Sequence, residues 1–172
     1  ATRHEAEFLG VRVAFGRLFF PMKHYDYIFA GAGCAGLSMV YYLLNSPLKD
    51  SRILLIDPKI YQFPNKTWCY WADKPLSIHP HSAIHSWNKL NLKSKENSFS
   101  FDMGKLNYFH LNSHDFYHHI FDLIKAFPTV DLLEAEVLEL EELDSKVKIK
   151  TSNQDSFTSN FLFDSRMKES DH

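Results

Sequence analysis

The sequence predicts an α/β fold built on one β-α-β nucleotide-binding unit, and three observations within residues 25–57 predict it. Residues 25–30 are a short apolar run rich in aromatic and branched side chains, the composition of a buried parallel strand. Gly31-Ala32-Gly33-Cys34-Ala35-Gly36 follows at once, and Leu37, Val40, Tyr41 and Leu44 then recur at helical spacing. Beyond a turn marked by Pro47 and Asp50, residues 52–57 form a second apolar strand that ends in a carboxylate, Asp57. Strand, glycine turn, helix, strand and terminal acid in that order make a Rossmann-like dinucleotide fingerprint.

The fingerprint assigns separate tasks to its residues. Gly31 lets the chain turn sharply out of the strand. Gly33 has no side chain, so a pyrophosphate reaches the backbone beside Ala32. Gly36 lets the helix lie close to the strand. The N–H groups of the first helical turn and the positive end of the helix dipole then face the phosphates. Asp57 stands where an acid accepts hydrogen bonds from ribose hydroxyls, and its charge disfavours a 2′-phosphate. The competing reading is an ordinary β-α-β turn whose glycines serve packing alone. The fingerprint itself does not separate FAD from NAD.

A length of 172 residues allows one domain of ordinary size, and a net charge of −2 carries no basic surplus for nucleic acid. No stretch is long and apolar enough to span a membrane as a helix, and Arg12 and Arg17 interrupt residues 8–20 too often for a signal-peptide core. Cys34 and Cys69 are the two cysteines; one sits in the glycine turn and one between tryptophans, so a disulfide framework is not expected and a reducing, cytoplasmic compartment is. Abundant aromatic residues suit a large apolar ligand. Met22 stands three residues before the first strand, so residues 1–21 are read as an upstream extension or cloning remnant, and residues 22–172 as the nucleotide-binding domain.

Beyond Asp57, residues 58–64 read as a loop. Asn65-Lys66-Thr67-Trp68-Cys69-Tyr70-Trp71 follows, and as an extended segment it places Trp68 and Tyr70 on one side, Cys69 and Trp71 on the other. Its aromatics either plug a loop into the core or line a site for a flat ring. Residues 72–86 are loop-like. Residues 86–92 and 98–103 read as a hairpin turning at 93–97, and residues 108–111 as a further strand. Ser113 is the expected N-cap of a helix over 114–127, with Phe116, Ile120, Leu123, Ile124 and Phe127 on its apolar side and Pro128 beyond it. Residues 130–143, 146–151 and 157–164 read as strands, and Phe161–Phe163 as a buried one.

Two further clusters carry ionisable side chains. His114 and His118 share a helix face, but no HExxH motif or cysteine pair accompanies them, so a solvated helix face is preferred to a metal site and no metal is expected. Glu134, Glu136, Glu139, Glu141 and Glu142 alternate with apolar residues, as a solvated strand face does. No nucleophile–base arrangement stands out, and no catalytic residue is assigned.

The glycine unit YDYIFAGAGCAGLSMVYYLL…ILLIDP followed by NKTWCYW resembles the flavin-dependent lycopene cyclases, in particular the bacterial lycopene β-cyclase type. Thr67, Trp68, Cys69 and Trp71 match that family's NDRTWCFW-like motif, whereas Pro64, Asn65, Lys66 and Tyr70 depart from it; Lys66 keeps the charge of an arginine without its planar fork. YFHLNSHDFYHHI and FLFDSR also look like family segments. The resemblance runs from Met22 to about Arg166 and covers the N-terminal part of such an enzyme. It implies a Rossmann-like FAD-binding domain of the glutathione-reductase type with added antiparallel strands. It also implies Gly31, Ala32, Gly33, Gly36, Asp57, Lys66, Thr67 and Trp68 as cofactor-binding residues. The implied activity is the redox-neutral cyclisation of lycopene ends to β-rings through a carbocation, with reduced FAD and NAD(P)H as reductant. Aromatic faces such as those of Trp68 and Trp71 are expected to add cation–π stabilisation to that cation. Peripheral contact with the inner face of the cell membrane follows from so insoluble a substrate. The rival readings are another FAD-dependent oxidoreductase, monooxygenase-like, on an apolar substrate, and an inactive FAD-binding fragment.

Overall fold

The computed structural model describes residues 22–78 and 85–166; the proposed upstream segment, residues 1–21, lies outside the described residues. Strand β1 (Lys23–Ala30) leads through the glycine turn into helix α1 (Cys34–Leu44) and then strand β2 (Ile53–Ile56). Helix α1 buries Gly36, Leu37, Val40 and Leu44, three of which were the apolar positions at helical spacing. Strand β2 is buried over its whole length, because Ile53 and Leu55 enter a core on one sheet face while Leu54 and Ile56 enter a second core on the other. That two-sided burial is why its sequence is a continuous apolar run rather than an alternating one.

Next come β3 (Thr67–Ala72), β4 (His85–Trp87), β5 (Lys89–Lys93), β6 (Ser98–Asp102) and β7 (Asn107–Asn112). Helix α2 (Ser113–Ile124) and strands β8 (Val130–Leu133), β9 (Val137–Leu143), β10 (Lys146–Thr151) and β11 (Ser156–Asp164) complete the described chain. The main sheet has six strands in the order β8-β2-β1-β11-β10-β9, with β8, β2, β1 and β11 parallel and β11, β10 and β9 an antiparallel meander. A three-stranded sheet, β3-β7-β4, and a two-stranded hairpin, β5-β6, stand apart from it. The larger core lies between the main sheet, α1 and α2 and includes Phe29, Leu37, Val40, Leu55, Phe116 and Ile120.

Four expectations change. The strand expected over 86–92 is two strands that part at Asn88: β4 pairs with β7, whereas β5 pairs with β6. The strand expected over 130–143 is likewise two, with residues 134–136 leaving the sheet between the parallel β8 and the meander. The cap of α2 is Asn112, whose side chain accepts the His114 N–H, while Ser113 is the first helical residue and is fully buried. Phe161 and Phe163 are not buried; Phe161 is 57% exposed, each ring stacking on its β1 neighbour, Tyr27 or Phe29.

Candidate functional site

The glycine turn connects the carboxyl end of β1 to the amino end of α1, the crevice position where open α/β sheets bind ligands. Gly31 has a φ of +115°, a region that favours glycine, and its N–H donates to the Ile56 carbonyl at 2.7 Å. A Cβ on Gly36 would run into the Gly31 carbonyl oxygen, so the first turn of α1 lies directly on the end of β1. Gly33 differs from both: a Cβ added there meets no protein atom within 4 Å. Its backbone is ordinary extended chain, with φ −80° and ψ −173°. Packing therefore explains Gly36, and backbone conformation explains Gly31. Neither explains Gly33, which faces open space.

That space is a pair of hollows meeting at Gly33 and Asp57. One, of about 370 Å³, is lined by Ala32, Gly33, Asp57, Phe63, Lys66 and Tyr117 among others. The other, of about 340 Å³, lies on the sheet side and includes Gly31, Gly33, Asp57, Glu136, Val137 and Arg166. Helix α1 has neither a side-chain cap nor an acid in its first turn, so no side chain of its own answers the positive end of its dipole.

Asp57 is half-buried and already engaged. One carboxylate oxygen accepts the Ala32 N–H at 2.9 Å and the other the Lys59 N–H at 2.7 Å, so the acid ties the glycine turn to the end of β2. Each oxygen retains acceptor capacity for a ligand hydroxyl. Tyr117 is the first hollow's buried phenol. Burial pushes its pKa up, as do the nearby Asp57 charge and Cys34, so it stays protonated and able to donate. Burial also pushes the Cys34 thiol up, outweighing a hydrogen bond with Ser38, which keeps it a thiol rather than a thiolate nucleophile.

The wall of the first hollow is held by a residue the sequence did not single out for it. Ser113 Oγ accepts the Lys66 N–H and donates to the Pro64 carbonyl, each at 2.6 Å, and the Ser113 N–H donates to the Lys66 carbonyl at 3.1 Å. The start of α2 thereby fixes the segment that carries Lys66 into the cleft. Phe63 completes the wall by stacking on Tyr117. The structure thus brings Gly31, Ala32, Gly33, Asp57 and Lys66 together around the hollows, with Gly36 behind them. Thr67 and Trp68 line neither hollow. Thr67 is exposed, and Trp68 packs edge-on to Phe116 within the larger core.

Strand β3 does alternate: Trp68 turns inward, while Trp71 is exposed and packs against Tyr108. Trp68 and Trp71 therefore lie on opposite sides of β3, as the alternation predicts. Sequence reading also missed Glu136, Val137 and Arg166 as lining residues. Arg166 is held there by hydrogen bonds to the Asp164 carboxylate and the Val137 carbonyl. The aspartate-serine-arginine ending of β11 was the available signal. His114 and His118 do approach, Nε2 to Nε2 at 3.2 Å, but among the described residues no three histidine, cysteine or acidic side chains gather as a metal site.

Comparison with known proteins bears on the family and the fold. A family described as lycopene cyclase protein matches residues 26–172. No curated protein matches the chain. Among solved structures, p-nitrophenol 4-monooxygenase PnpA from Pseudomonas putida DLL-E4 is similar with a TM-score of 0.66 at 12% identity, over 87% of this chain and 43% of that one. A mutant of P. aeruginosa PqsL gives 0.63 at 12% identity, over 81% of this chain and 42% of that one. Halogenase PltM gives 0.59 at 17% identity, over 85% and 36%. The chain therefore spans less than half the length of these structures. At such identities the likeness shows the fold, which is that of a Rossmann-like FAD-binding domain in part.

Proposed function

The chain belongs to the lycopene cyclase protein family, and from that premise we propose that it is the FAD-binding portion of a lycopene β-cyclase. Family and fold alike are those of flavin-dependent enzymes. The observation that carries the cofactor reading is Gly33, a glycine that neither packing nor backbone conformation requires, at the meeting point of two hollows.

The residues present fit a dinucleotide. Backbone amides at Gly33 and in the first turn of α1 are positioned for a pyrophosphate, and Lys66 supplies a positive charge in the same hollow. Asp57 would accept hydrogen bonds from the ribose hydroxyls with the acceptor capacity left beside its two backbone bonds. The sheet-side hollow beside Glu136 and Val137 would hold the adenosine half, and the residues on the Tyr117 side would hold the flavin half. When bound and reduced by NAD(P)H, the flavin supplies a fixed negative charge that stabilises a cationic centre in a dry pocket. The reaction itself is redox-neutral: a proton adds to a terminal alkene of lycopene, the ring closes, and a proton leaves. The protonated Tyr117, held by the stack of Phe63 on its ring, would be available to donate a hydrogen bond to a cofactor bound in this hollow.

The test is product analysis with reduced FAD and lycopene on the enzyme that contains this chain. A ring-closed product of unchanged mass supports the cyclase. An oxygenated product, as expected of a monooxygenase-like oxidoreductase, refutes it.

A further inference from the structure

Hairpin β5-β6 leaves the body of the domain with an apolar face that nothing in the described chain covers. Its register pairs Leu90 with Phe101 and Leu92 with Phe99, so these four side chains form one face of two cross-strand pairs. Lys89, Asn91, Lys93, Ser98, Ser100 and Asp102 form the other. Exposure rises toward the turn: Leu90 is half-buried, Phe101 is 48% exposed, Leu92 50% and Phe99 55%. Phe99 and Phe101 stack on each other, and among the described residues neither ring stacks on another element. The turn is well formed, with the Ser94 N–H donating to the Asn97 carbonyl at 2.8 Å and Ser94 Oγ accepting the Asn97 N–H at 3.0 Å. The hairpin is therefore an ordered element, about 16 Å long from its strand rise, and not a loose loop.

Its charge points to the occupant. The whole chain is acidic, with a net charge of −2, yet residues 85–106 carry Lys89, Lys93, Lys95 and Lys105 against only Glu96 and Asp102. Lys93 and Lys95 flank the turn, next to the most exposed apolar pair. An apolar tip with lysines beside it matches an anionic lipid surface. The rings enter the acyl boundary, while the long lysine stems carry their charges up to the headgroups. No helix among the described residues is long and apolar enough to cross a membrane, so attachment by this route is peripheral. We propose that the β5-β6 hairpin, through Leu92, Phe99 and Phe101 with Lys93 and Lys95, docks the protein on the anionic headgroup surface of a lipid bilayer.

The test is co-sedimentation of the full 172-residue chain with vesicles of phosphatidylcholine and of a phosphatidylcholine–phosphatidylglycerol mixture. Binding is expected to the mixture, to weaken at high salt, and to fall at least tenfold in the double variant F99S/F101S. Charge removal in K93Q/K95Q should weaken it by about fivefold per lysine on the anionic vesicles alone. Phe99→Trp, which keeps an aromatic ring, should retain binding and have its fluorescence quenched by brominated lipid. Absence of vesicle binding overturns the proposal, as does binding that neither pair of substitutions changes. A concentration-dependent dimer that F99S/F101S abolishes, with no vesicle binding, overturns it in favour of a second copy as the occupant. FAD titration of the same variants is expected to be unchanged, so failure here is distinguishable from failure of the cofactor reading.

Discussion

Replacing Gly33 with alanine separates a binding role from a structural one. The new Cβ meets no protein atom within 4 Å, and the backbone at φ −80° is one alanine adopts freely. The folded state thus gains no clash, while the unfolded chain loses freedom. Stability is expected to rise by about 0.4–1 kcal/mol. The same methyl group projects into the space where the two hollows join. A pyrophosphate against that backbone must shift or be strained, at about 1–3 kcal/mol as for overpacking elsewhere. That corresponds to a loss of FAD affinity of roughly 5- to 150-fold. Gly36→Ala is the control, because its Cβ strikes the Gly31 backbone and should lower stability by about 1–3 kcal/mol. Urea unfolding and FAD titration of both variants measure the two quantities. The reasoning is refuted if Gly33→Ala binds FAD as the parent chain does, or if it is the less stable of the two variants.

Two further outcomes follow from the hydrogen bonding. Ser113→Ala leaves the Lys66 N–H and the Pro64 carbonyl without their partner, which should destabilise the fold by about 1–3 kcal/mol and weaken FAD binding through the loosened wall; urea unfolding with a parallel titration checks this. Asp131 accepts from Lys23 Nζ and Tyr25 Oη, each at 2.8 Å. Burial pushes its pKa up, but the bonds from Lys23 and Tyr25 and the charges of Lys23 and Arg52 outweigh this and hold it below the ordinary carboxylate value. Because the folded value is depressed, the stabilisation is present above the unfolded value of about 3.9 and disappears as pH falls through the lower folded value. Asp131→Asn should therefore be less stable than the parent by about 1 kcal/mol at neutral pH, a modest figure since the pair is largely solvated, and the gap should close in melts below about pH 4.

The β1-α1-β2 unit was legible because local rules and tertiary context agree there. The apolar run of β2 reflects burial on both faces, and Leu37, Val40 and Leu44 face one core. Where pairing is decided at long range, composition was silent. Nothing in His85–Lys93 says that the chain changes sheets at Asn88, because each half pairs with a strand elsewhere in the sequence. Phe161–Phe163 shows the same limit, since hydrophobicity records an affinity for burial and not whether anything in the chain covers the face. In the site, the glycines and Asp57 were readable from their order along the chain. The two amide bonds of Asp57, the Ser113 clamp and the return of Arg166 to Val137 were not, because each joins segments that only the fold brings together.

The claim at the centre of this account is that the paired hollows around Gly33 and Asp57 hold FAD. Calorimetric titration of the chain with FAD, and separately with NADH, tests it most directly. Saturable FAD binding at one site per chain, accompanied by a raised melting temperature and by no comparable effect of NADH, is the predicted result. Binding of NADH without FAD, or a cooperatively melting chain that binds neither, would contradict it.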